Sequence, residues 1–128
     1  MKKIFSKKFL IFWLPAIVWM GVIFTFSSIP DLKTDLKEDF ILRKIAHILE
    51  YAILTFLLIR GLRQEKLNIR KIIIFSLIFA VFYALTDEYH QTFILGRQGT
   101  LRDVGIDSIG ILLVSLVWYY KIRNKKWV

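Results

Sequence analysis

Asp87, Glu88, His90 and Gln91 crowd together at the end of an apolar run, and Arg97, Arg102, Asp103 and Asp107 follow shortly after. Well upstream, Lys44, His47, Glu50 and Tyr51 form a second group of the same kind. Carboxylates and imidazoles are the side chains of general acid–base work, with Glu50, His47, Asp87, Glu88 and His90 the candidates. The same groups suit a divalent cation: oxygen ligands favour magnesium or manganese, and added imidazole favours zinc. Arg97 and Arg102 offer planar forks for a phosphate or a carboxylate. There is no cysteine, which removes thiolate nucleophiles and thiolate metal sites. Ser27, Ser28 and Ser108 lie nearby without a pattern that marks a nucleophile, and Gly96–Arg97–Gln98–Gly99 matches no phosphate loop.

The elements that must position these groups are apolar helices. The chain has 128 residues, 56% of them hydrophobic, with mean hydropathy +0.54, a composition that suits lipid better than water. Four apolar stretches stand out at 9–26, 45–62, 72–86 and 104–120, near the lower limit of what spans a bilayer. The third stretch is only about 22 Å long as a helix, against a hydrocarbon core of about 30 Å. It must therefore continue through Asp87 to Gln91, giving a helix over 72–91. The linkers are short and polar, so one membrane domain of four helices covers 1–128. The first stretch is too long for the apolar part of a signal peptide and reads as a retained anchor. Pro15 inside it removes a helical hydrogen bond and predicts a kink.

Charge sets the orientation. The net charge is +9, but no basic face of a soluble module accompanies it, which argues against nucleic acid. The N-terminal arm, the linker from Arg60 to Lys71 and the C-terminal tail hold most of the 19 basic residues and a single acid, Glu65. The positive-inside rule then places both termini and the middle loop in the cytoplasm. The chemistry-bearing stretch joins helices three and four, on the extracytoplasmic side.

On helix two, Lys44, His47 and Tyr51 share one broad face, with Glu50 beside Tyr51. On helix three, Asp87, His90 and Gln91 fall on one face and Glu88 on another. Asp103 and Asp107 stack one turn apart on helix four. An ionised group facing lipid costs about 2.5–3.5 kcal/mol, and short acids cannot snorkel out. These groups are therefore expected to face one another around a polar cleft that opens outward, with Lys44, Arg97 and Arg102 set against the acids. Ion pairs that merely hold helices together are the plain alternative. Taken singly, His47 fits a structural hydrogen bond, and Tyr51 and Tyr89 fit interfacial anchors.

The ordered set of Phe26–Ser27–Ser28–Ile29–Pro30, the helix-two segment with Lys44, His47, Glu50 and Tyr51, and the stretch from Ala84 to Gly110 resembles the VanZ-like family of small bacterial membrane proteins. The resemblance carries the family's motif positions onto Lys44, His47, Glu50, Tyr51, Asp87, Glu88, Gln91, Arg97 and Asp103, with His90 and Asp107 beside them. Many members have asparagine where Asp107 stands. The family takes its name from a glycopeptide-resistance cluster, and the resemblance implies a role against teicoplanin, a lipid-tailed glycopeptide. It supplies no mechanism.

Two classes of function follow. The first is a non-enzymatic envelope factor whose outward cleft binds an amphiphile: a lipoglycopeptide, a wall precursor or an anionic lipid. The second is an intramembrane hydrolase or transferase acting on a lipid-linked phosphate, with a possible divalent cation and Glu50, the most deeply placed acid, as base. Transport fits less well, because four short helices without an inverted repeat make a poor carrier unless they oligomerise.

Overall fold

The computed structural model describes residues 6–28, 37–94 and 101–124. Arg97, Gly96 and Gly99 lie outside the described residues. Four helices follow in order: α1 Lys7–Ser27, α2 Lys37–Leu62, α3 Ile69–Gln91 and α4 Leu101–Asn124. The described residues contain no strand. The Ser6 hydroxyl accepts from the Phe9 amide to start α1, and the Asn68 side chain accepts from the Lys71 amide to start α3. Pro15 sits inside an unbroken α1. Helix α3 runs through Asp87 and Glu88 to Gln91, as its short apolar stretch demanded. The α2 and α4 helices extend beyond their apolar stretches, α2 starting at Lys37 and α4 ending at Asn124. Charged turns that lie past the hydrocarbon can stay helical, so hydropathy alone underestimates helix length. Lys121 and Arg123 in the last turn of α4 and Asp103 in its first turn also complement the helix dipole.

Helix α4 packs along both α2 and α3, while α1 lies mainly on α2 and touches α3 less. The surfaces between helices use small residues. Ser76, Ala80 and Ala84 recur every fourth position on α3, and all are fully buried. Gly110 of α4 sits directly on the α2 backbone: a Cβ there would meet the Ile48 carbonyl oxygen at 2.2 Å. Larger buried side chains, Ile23, Tyr51, Leu54 and Ile111, fill the remaining core.

The outside of the bundle is apolar. Ile74, Phe75, Ile78, Phe79 and Phe82 are exposed along α3, and Ile109, Leu112, Leu113, Leu116 and Val117 along α4. Such a surface is stable against lipid tails and not against water. The helices spanning 7–27, 41–62 and 69–91 are each long and apolar enough to cross a membrane.

The two ends of the bundle differ in chemistry. At one end Arg60 Nη1 donates to the Ile11 carbonyl at 3.1 Å and its guanidinium lies over Phe12, while Arg63 and Lys121 both lie over Trp118. Gly61 approaches Trp13 there, closing α1 onto α2. The other end gathers the acids and histidines.

Candidate functional site

Helices α2 and α4 both begin at the acidic end and run away from it side by side. Two rungs join them. Lys44 pairs with Asp103, and one turn deeper His47 Nδ1 lies 3.3 Å from Asp107 Oδ1. The backbone contact at Gly110 is the third point of this register, one turn deeper again. Lys44 and His47 are three residues apart and Asp103 and Asp107 four, both spacings that return to the same helix face.

Helix α3 supplies the third wall. The fully buried Tyr51 hydroxyl donates to Asp87 Oδ2 at 3.0 Å, and Gln91 Nε2 donates to the same oxygen at 3.3 Å. Gln91 Nε2 also lies 3.4 Å from Ser27 Oγ on α1. Tyr51 is thus a core residue, because its hydroxyl finds a partner inside the bundle; the reading of it as an interfacial anchor is corrected. Tyr89, by contrast, is exposed and meets Phe93 edge-on.

Glu88 departs from the expected arrangement. Asp87 and Gln91 do share a face, but Glu88 is buried as deeply as Asp87, each 4% exposed. It continues the line of Ser76, Ala80 and Ala84 at the same four-residue spacing. Its carboxylate joins His47 and Asp107 in a group whose nearest ligand atoms all lie within 4.8 Å of one another. The small-residue stripe was the sequence signal for this placement, and the polar pattern alone did not reveal it.

His90 turns instead toward α1, stacked on Phe24 with ring centroids 4.4 Å apart and Nε2 2.9 Å from Ser28 Oγ. The Ser28 hydroxyl also lies 2.8 Å from the Phe24 carbonyl, to which it can only donate. With its one proton on the Phe24 carbonyl, the serine accepts from His90 Nε2 in the tautomer that carries a proton there. Arg102 is exposed at the start of α4. Trp19 donates from Nε1 to the Glu50 carbonyl at 2.8 Å and steadies the turn that carries His47 and Glu50.

The site is graded in depth. Lys44, Asp103, His47 and Glu50 form a partly exposed rim, with His47 and Glu50 19% and 21% exposed, so Glu50, expected as the most deeply placed acid, is less buried than Asp87, Glu88 and Asp107. Asp87, Glu88, Asp107 and Tyr51 form a buried floor. His47 stands between the two, with Nδ1 4.0 Å from Glu50 Oε2 as well as near Asp107. Asp87 Oδ1 and both carboxylate oxygens of Asp107 have no hydrogen bond among the described residues.

Residues 12–123 match the VanZ/LLP1 family. The chain belongs to the VanZ/LLP1 family. A curated relative, the "Uncharacterized membrane protein YwnJ" of Bacillus subtilis (strain 168), is 32% identical over 118 residues, covering 86% of this chain and 78% of the relative. No solved structure matches the chain. The VanZ/LLP1 match takes in every residue of the rim and floor, and the membership together with the apolar exterior makes this a membrane protein.

Proposed function

We propose that this VanZ/LLP1 protein crosses a bacterial cytoplasmic membrane four times, with both termini inside and the acidic end outside. We propose further that this end takes the phosphate-bearing head of a lipid-linked envelope component and hydrolyses it. The orientation is supported by the basic residues Arg60, Arg63 and Lys121 gathered at the opposite end. The fourth crossing is supported by the apolar stripe along α4.

The observation that carries the chemistry is the state of Asp107. Polar groups that hold helices together mostly find partners, as Tyr51, Asp87 Oδ2 and Gln91 do. Asp107 is fully buried beside Glu88 and His47; its Oδ1 lies in ion-pair range of His47 Nδ1, and its Oδ2 has no hydrogen bond among the described residues. A carboxylate held this way in a low-dielectric site costs stability, and such costs concentrate at functional sites.

In the proposed reaction, Lys44 and Arg102 draw the anionic head to the rim. Glu50 takes a proton from water, whose oxygen bonds to phosphorus as the bond from phosphorus to the leaving oxygen breaks. The same proton then passes to the leaving oxygen. The lipid tail stays in the bilayer beside the apolar faces of the helices.

A second reading has the rim bind a lipoglycopeptide such as teicoplanin, or a wall precursor, without turnover. It is favoured by the mixed charge of Lys44, Asp103 and Glu50 at the rim. Incubating the purified protein with an isoprenoid phosphate separates the two. Product in excess of the protein supports the hydrolase, and saturable binding without product supports the shield.

A further inference from the structure

We infer that His47, Glu88 and Asp107 bind one divalent cation, zinc or manganese, at the boundary between rim and floor. The three residues come from α2, α3 and α4, and each presents a ligand atom within 4.8 Å of the others. A neutral imidazole and two carboxylates balance a charge of two. They leave further positions open, as in sites where a metal meets substrate.

Two observations point to an ion rather than to a chance cluster. His47 Nδ1 and Asp107 Oδ1 are 3.3 Å apart, in ion-pair range. Two ligands bonded to one ion at about 2.1 Å are separated by about 3.0–3.4 Å along the edge of an octahedron or tetrahedron. Asp107 Oδ2, on a fully buried side chain, has no partner among the described residues and belongs to the same group. Burying the Asp107 carboxylate costs free energy, and a bound divalent ion would offset its charge. Beside the group, Lys44 pairs with Asp103, and Tyr51 donates to Asp87 Oδ2.

The ion also resolves a conflict of sign. A phosphate approaching Asp107 and Glu88 directly would be repelled, whereas a cation between them bridges acid to phosphate. This role as a bridge rests on the hydrolase reading above; the binding itself does not.

The test uses the full chain in detergent, stripped with chelator and titrated with manganese alone, followed by electron spin resonance. We expect one ion per chain, with nitrogen coupling that disappears in His47→Gln. Affinity should fall at least about tenfold in Asp107→Asn and in Glu88→Gln, and stay unchanged in Glu65→Gln at the opposite end of the bundle. Each variant is checked for helical content and a single elution peak, so that misfolding is not read as lost binding. Absence of binding to well-folded wild type, or binding that all three ligand variants retain, overturns the site. Phosphate release measured on the same samples keeps the two claims apart. Release that persists in chelator with no bound ion removes the ion's role as a bridge and leaves the hydrolase, while the titration alone decides the site. Binding without release supports the site and removes the hydrolase.

Discussion

His47 and Asp107 face each other across two helices that run in the same direction, with Nδ1 3.3 Å from Oδ1. Lys44 and Asp103 repeat the relationship one turn nearer the helix starts, and Gly110 fixes the register one turn deeper. The acidic end therefore depends on how closely α4 lies on α2. That closeness is set by a residue with no side chain at all.

Gly110→Ala should separate the two helices, since its Cβ would fall 2.2 Å from the Ile48 carbonyl oxygen, a backbone atom that cannot swing away. Overpacking of this kind costs about 1–3 kcal/mol or more, so the melting temperature in detergent should fall by several degrees. Gly105→Ala is the control on the same helix, with nothing within 4 Å of the added carbon. It should leave the melting temperature unchanged or slightly raised, because alanine favours helix.

Tyr51→Phe should destabilise the protein by about 1–3 kcal/mol, the cost of taking one partner from a buried carboxylate. Asp87 Oδ2 would keep only the Gln91 donor at 3.3 Å. A Tyr51→Phe/Asp87→Asn double variant should lose less than the sum of the single losses, because the two groups are in direct contact. Additive losses in thermal denaturation would mean that the hydrogen bond carries no coupling.

The absence of native cysteine makes orientation directly testable. In intact cells, Gln98→Cys should react with a membrane-impermeant maleimide, and Glu65→Cys should react only after permeabilisation. The reverse pattern would put the acidic end in the cytoplasm and remove an extracytoplasmic substrate.

Much of this arrangement was legible in the sequence. The apolar stretches located all four helices, and the shortness of the third required its continuation through Asp87 and Gln91. The polar residues were expected at one end, and the interhelical contacts place them there. Depth and facing were harder to read. Glu88 was assigned away from its neighbours because the face was judged from polar residues, whereas burial on α3 follows Ser76, Ala80 and Ala84. Tyr51 resembled an interfacial tyrosine because its partner, Asp87, lies on another helix. Pairwise partners such as Ser28 and His90, distant in sequence, emerge only from packing.

Envelope function should be visible in cells. Expression in a Gram-positive host should raise resistance to teicoplanin more than to vancomycin, which lacks a lipid tail. Glu50→Gln and Asp87→Asn, at matched membrane abundance, should abolish the protection. Equal susceptibility with and without well-expressed wild type would separate this chain from the resistance role.

The most direct measurement is phosphate release from an isoprenoid phosphate or diphosphate by the full chain reconstituted in lipid, compared with Glu50→Gln. The account predicts product many times in excess of protein, with a rate lowered by about a hundredfold or more in the variant, as loss of a general base requires. Absence of product from folded wild type supplied with manganese or zinc, or equal rates for wild type and variant, would contradict it.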